Sequence, residues 1–313
     1  ESTTDEGIPE VARELIAHAR AAERETRRGR GRALYEAALG DAEAHGDVLG
    51  QAHAVNGMGI VEQMRGNLKA AADHYTWSLE HALAVGDESL AAMIHQNLGV
   101  ISNIQGDFAE ALRQYRLSKK AYDALGEDDW IGPILNNIGR LHTDLGEWAD
   151  AEIALMEAGR RCKRSGDIDH QVLSHVNLAR MWIMRKDFEL ARESCDRACS
   201  LSRDVSGGRW TGEILKHYGA IYQSTGRLEL ALDSLAQARR VADIERDTLL
   251  AAETARELAE VYRKQGRNQD TLKALNESLR LFSDFNAKQN LAPGWTGGAV
   301  CATWLTDTPQ PGA

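Results

Sequence analysis

The 313-residue chain has little proline: of five, only Pro9 and Pro133 stand before residue 290, so long helices meet almost no obstacle there. It has four cysteines, at 162, 195, 199 and 301, too few and too scattered for the disulfide framework of a small extracellular domain. Cys195 and Cys199, four apart, read as small core residues on one helix face. No apolar run approaches the length of a membrane span and no signal peptide is recognisable, which together predict a cytoplasmic protein with no membrane partner. The sequence also lacks HExxH, CxxC, GxSxG, a phosphate loop and any histidine pair four residues apart. Glu213 and His217, at helical spacing, read as a surface ion pair, and Arg27, Arg28, Arg30 and Arg32 as a solvated turn. No catalytic residue, metal ligand or cofactor is therefore assigned, and an enzyme is not expected. The formal charge of −10 opposes nucleic acid and favours a protein partner.

What the chain has in abundance is periodicity. Gly59, Gly99, Gly139, Ala179, Gly219 and Ala259 recur every 40 residues. Twelve residues after each stands Ala71, Ala111, Ala151, Ala191, Ala231 or Thr271, and four further on Tyr75, Tyr115, Leu155, Cys195, Leu235 or Leu275. Fixed self-similarity at this period is the signature of a solenoid, in which each unit must stack on its neighbours to bury its apolar face.

Each unit reads as two helices. Over residues 88–127, Leu90, Ile94, Leu98 and Ile101 keep helical spacing until Gly106 and Asp107; a second stretch through Phe108, Leu112 and Tyr115 ends at Gly126. Gly66, Gly106, Gly146, Gly226 and Gly266 mark the turn between paired helices, with Lys186 the exception. The small columns predict close helix contact, Gly99 and Ala111 letting two helices nest with Tyr115 beyond. A further column, Ala38, Ser78, Ser118, Ala158, Ala198, Ala238 and Ser278, is assigned to the contact with the next unit.

Asn97-Leu98-Gly99, Gly106-Asp107-Phe108, Ala111 and Tyr115, repeated as Asn137-Ile138-Gly139, Gly146-Glu147-Trp148 and Ala151, resemble the tetratricopeptide repeat signature. The unit is longer than that family's usual one and lacks its late proline, which makes it similar to the long repeats of polarity and G-protein adaptors and of bacterial regulators. The resemblance implies an all-α, right-handed superhelical solenoid of about seven antiparallel helix pairs over residues 8–287. Residues 1–7 are read as an extension, and 288–313, with Pro293, Pro309, Pro311, Trp295 and Trp304, as an irregular tail or linker.

In that family the first helix of each pair lines the concave face. Carried over by position, the resemblance places Asn56, Asn97, Asn103, Asn136, Asn137, Arg140, Asn177, Arg180 and Lys216 in the groove. Carboxamides can donate to and accept from an extended backbone, and an arginine can fork onto a carboxylate. An asparagine at Asn97, Asn137 or Asn177 can equally bond the neighbouring repeat. The function implied is a noncatalytic scaffold binding a protein or peptide segment with acidic groups; the alternative is the sensory or regulatory module of a larger bacterial signalling protein.

Overall fold

A computed structural model describes residues 14–15, 28–203 and 210–288, so the expected extension at 1–7 and all of the tail but Lys288 lie outside the described residues. The described residues form two compact units, divided between Trp130 and Ile131. The first contains α1 (Arg28–His45), α2 (Val48–Met64), α3 (Leu68–Val85), α4 (Glu88–Ile104), α5 (Phe108–Leu125) and a single 3-10 turn at Asp128–Trp130. The second contains α6 (Ile131–Asp144), α7 (Trp148–Ser165), α8 (Ile168–Arg185), α9 (Phe188–Ser202), α10 (Thr211–Ser224), α11 (Leu228–Glu245), α12 (Thr248–Lys264) and α13 (Asn268–Lys288).

The turns explain why helices stop where they do. Positive φ recurs at 20-residue steps, at Gly46, Gly66, Gly86 and onward, and Lys186 (φ 69°) and Arg246 (φ 57°) adopt the same left-handed conformation without being glycine. The first helices restart on aspartate: Asp87, Asp167 and Asp247 each accept from a backbone N–H three residues on.

Within each unit the tightest packing joins the two helices of a pair: α2 with α3 and α4 with α5 in the first, α6 with α7, α8 with α9, α10 with α11 and α12 with α13 in the second. A Cβ placed on Gly99 would lie 2.6 Å from the Tyr115 ring, and one on Gly139 would lie 2.5 Å from Leu155 Cγ. The glycine column is therefore the contact surface of the pair, and burying a large neighbour such as Leu155 contributes about 1.5–3 kcal/mol. Burial also pushes the Cys162 and Cys195 thiols up to about 12, leaving both as inert packing atoms. Two serines of the further small column, Ser78 and Ser278, donate to the carbonyls of Ala52 and Ala252, on the first helix of their own pair, so at these two positions the hydroxyl bonds within the pair.

In the second unit the first helices α6, α8, α10 and α12 touch one another in sequence, whereas the second helices α7, α9, α11 and α13 make no comparable contact among the described residues. A row of touching helices backed by a spread row gives this unit an inner first-helix face and an outer one notched between second helices. The architecture is an all-α helical solenoid of paired helices.

Candidate functional site

The nine residues expected in the groove lie on first helices in both units. In the first unit, Asn56 is 3% exposed and donates to Met93 Sδ at 3.7 Å, while Asn97 donates to Asn56 Oδ1 at 3.3 Å. Asn103 is partly buried, and its Oδ1 is enclosed without a hydrogen-bond partner among the described residues.

In the second unit the same 41-residue link recurs. Asn177 donates to Asn136 Oδ1 at 3.4 Å, and Asn136, 1% exposed, donates to the His170 carbonyl at 3.1 Å. Asn56, Asn97, Asn136 and Asn177 thus join successive first helices, which is the alternative the sequence left open for asparagine at this position. Asn56, Asn136 and Asn177 are buried, and the amides of all four already have partners. Asn137, part-exposed on α6, has no recorded hydrogen bond among the described residues.

The cations divide in the same way. Arg180 donates to Asp144 at 2.7 Å, tying α8 to α6. Lys216 lies between Glu213, at 2.7 Å, and Glu253 of α12, with its side chain only 12% exposed. Burial opposes the Lys216 charge, but the two carboxylates outweigh it and hold the ammonium above its ordinary pKa. Burial pushes Glu253 up too, yet Lys216 wins and holds it below the usual carboxylate range. Glu213 is held up, chiefly by burial. The surface pair expected between Glu213 and His217 does not form: Glu213 goes to Lys216, and His217 is buried at 6% exposure. Burial first, then the charges of Lys216 and Arg180, drive the His217 pKa down to about 3, and its Nδ1 has no partner among the described residues. Arg140, by contrast, lies part-exposed on α6 with no ion pair or hydrogen bond among the described residues.

A third cluster straddles the turn between α6 and α7, where His142 Nδ1 meets Glu147 Oε2 at 2.5 Å with Asp150 nearby, the three ligand atoms all within 4.8 Å. The same two column positions, 80 residues earlier, are filled by Glu62 and Asn67, which bond at 2.6 Å across the equivalent turn. This cluster is a turn clasp in both places. Among the described residues no helix is long and apolar enough to cross a membrane.

Sequence reasoning placed the nine residues on first helices, where the structure has them, but could not say which members were joints. The signal for Lys216 was present: Glu253 follows it by 37 residues, close to the repeat step that brings α10 and α12 side by side.

Comparison with known proteins agrees with this architecture. The tetratricopeptide repeat family model matches residues 89–164 and 171–244. No curated protein sequence matches the chain. Among solved structures, the apo form of RapI aligns with a TM-score of 0.72 at 12% identity, covering 88% of this chain and 99% of that one. A Rap protein complexed with competence and sporulation factor aligns at 0.67 and 12% identity, over 89% of this chain and 77% of that one. A signal transduction ATPase with numerous domains and a tetratricopeptide repeat sensor, from Pyrococcus horikoshii, aligns at 0.66 and 19% identity; it covers 88% of this chain but only 43% of its own. At these identities the likeness is one of fold. Column spacing, paired helices, left-handed turns and the family match together identify residues 89–164 and 171–244 as tetratricopeptide repeats.

Proposed function

We propose that this protein is a noncatalytic interaction scaffold that holds a peptide or protein segment bearing acidic groups against its first-helix face. The observation that carries the reading is Arg140: Arg180 and Lys216 on the same row of helices are tied to carboxylates, whereas Arg140 has a guanidinium to offer, with the Asn137 amide on the same helix. A guanidinium binds a carboxylate through two parallel N–H donors, and an amide beside it can read the adjoining backbone. Asn103, part-exposed on α4, adds an amide of the same kind in the first unit. A Rap protein of similar fold was solved with competence and sporulation factor bound, which gives precedent for a ligand on such repeats. The partner is read as protein rather than nucleic acid from the charge of −10, and the setting as cytoplasmic.

A second reading makes the chain the sensory module of a larger signalling protein. The match to an ATPase whose repeats are a sensor favours it, and the same face would then carry the signal. An array of extended peptides differing only in acidic content tests the first reading. Acidic members should bind the wild-type protein, and Arg140→Ala should lose most of that binding. Equal retention of neutral and acidic peptides by both proteins would overturn it.

A further inference from the structure

The outer side of the second unit carries a cavity that the concave-face reading does not use. Its volume is about 430 Å³, within the range of about 300–1,000 Å³ typical of small-molecule sites. It opens between the second helices α7 and α9, which stand apart, and α8 forms its floor. The α8 residues that line it, Gln171, Ser174, His175, Leu178 and Trp182, share one helical face. Asn177 and Arg180 lie on the opposite face, at about 100° per residue. The two sites are therefore back to back on one helix.

The cavity exists because two columns change size here. Gly159 stands where the other repeats have Leu79, Lys119, Cys199, Arg239 and Leu279, and Ser174 where three others have Ile94, Ile134 and Ile214. The two missing side chains face each other: a Cβ on Gly159 would sit 3.5 Å from Ser174 Cβ, an ordinary contact, so the space above them is open. Apolar side chains fill one part of the wall, with Leu155 and Leu178 buried and Met156 (48%) and Leu190 (42%) exposing more surface than their neighbours.

The charges around it are polarised. Lys163, in the last turn of α7, and Arg197, on α9, have no ion-pair partner among the described residues; Arg160, the third cation, is held by Glu157. Glu152, in the second turn of α7, and Glu193, one turn before Arg197, supply the negative charge. His175 is part of the α8 floor, and burial with the nearby Arg197 charge keeps its pKa below the ordinary value, leaving a neutral imidazole. An apolar trough with two free cations toward one end and carboxylates toward the other selects a ligand with an alkyl body and an anionic head.

We propose that this cavity is a binding site for a small anionic amphiphile, a medium-chain carboxylate, with its head at Lys163 and Arg197 and its chain along Leu155, Met156, Leu178 and Leu190. Glu152 and Glu193 repel the head from the other end and so fix the direction of binding. Gly159 is the gate residue, since a side chain as large as leucine there would extend into the trough.

Isothermal titration of the full chain with dodecanoate below its micellar concentration tests the site, with 1-dodecanol and acetate as the neutral and chainless controls. Saturable one-to-one binding of dodecanoate, at least tenfold tighter than either control, is expected. Gly159→Leu should abolish it, and Lys163→Glu/Arg197→Glu should weaken it at least tenfold. Arg140→Ala should leave it unchanged, which separates this site from the first-helix face. Far-ultraviolet circular dichroism and melting confirm that each variant folds; the double charge reversal is at the surface and keeps the test valid if Gly159→Leu does not. No saturable binding to wild type, equal binding of dodecanol, or dodecanoate binding that survives both variants would overturn the proposal.

Discussion

The side-chain amide of Asn177 donates to the side-chain Oδ1 of Asn136 across 41 residues, at 3.4 Å, and Asn97 makes the same link to Asn56 in the other unit, at 3.3 Å. A polar residue on the inner face of a repeat can serve a ligand or the next repeat, and here geometry gives these four to the repeat. The consequence is a sorting of the strip: what remains for a partner is Asn137, Arg140 and Asn103.

Asn136→Ala should therefore be a stability mutant. It leaves the Asn177 amide without its acceptor and takes one donor from the His170 carbonyl, which keeps the Ser174 hydroxyl, and the expected cost is about 1–3 kcal/mol. Asn137→Ala, one residue along the helix, should change stability by no more than about 0.5 kcal/mol. The urea midpoints of the two variants check the contrast; equal midpoints would mean the amide link contributes nothing.

Gly139→Leu should force the α6–α7 pair apart. The new Cβ would meet Leu155 Cγ at 2.5 Å and the Leu155 backbone nitrogen at 3.2 Å, and the backbone atom cannot swing away as a side chain can. An overpacking cost of about 1–3 kcal/mol is expected, read as a lower melting temperature. An unchanged melting curve would show that the pair tolerates separation.

The fold was legible because its determinants are local and repeated. The glycine and alanine columns each report one close contact, and six copies of that contact in register leave no other architecture. The exceptions were readable only in part: Lys186 stood out as a non-glycine turn, but Arg246 did not, because a left-handed arginine has no signature of its own. The site was less legible, since the same asparagine type serves as joint and as ligand donor, and only the three-dimensional partner tells which. The loss of the Glu213–His217 pair has the same origin: Lys216, three residues after Glu213, reaches it first, and Glu253 arrives from another repeat. The cavity at Gly159 was visible as a small residue in a column of larger ones, a signal that points outward rather than into the groove.

The buried His217 predicts a pH dependence of definite sign. Its folded pKa of about 3 lies below the ordinary 6.5, so the unfolded chain binds a proton that the folded chain excludes. The stabilisation is fully present above pH 6.5 and is lost as pH falls toward 3, at up to about 1.4 kcal/mol per pH unit. His217→Asn, which installs the residue found at the same column position as Asn97 and Asn177, should flatten the slope of unfolding free energy between pH 6.5 and 5 by a large part of that amount. Parallel slopes in mutant and wild type would mean that His217 is protonated in the folded protein.

Lys216→Met should destabilise the α10–α12 contact by about 3 kcal/mol, the low end for a broken buried pair, because Glu213 and Glu253 would face each other without their cation. Adding Glu213→Gln and Glu253→Gln should recover most of the loss, since the cost comes from the stranded charges and not from the missing ammonium. If the triple variant is no more stable than Lys216→Met, the network acts through packing instead.

Arg140 and Arg180 occupy matching positions on α6 and α8, yet the two should behave differently. Arg180 is 28% exposed and bonded to an Asp144 that is 15% exposed, so Arg180→Ala removes a part-shielded ion pair between helices and should lower stability by about 1 kcal/mol. Arg140 has no such partner among the described residues, and Arg140→Ala should leave the melting temperature within error. For binding of an acidic peptide the order reverses. Arg140→Ala should weaken affinity by more than tenfold, because its guanidinium is available without first breaking an internal bond, while Arg180→Ala should have the smaller effect. Added salt should weaken the wild-type complex more than the Arg140→Ala complex, since the variant lacks the charge being screened. If an acidic peptide binds the Arg140→Ala protein with unchanged affinity and salt dependence, the first-helix face is not reading carboxylates through Arg140, and the binding surface lies elsewhere on the chain.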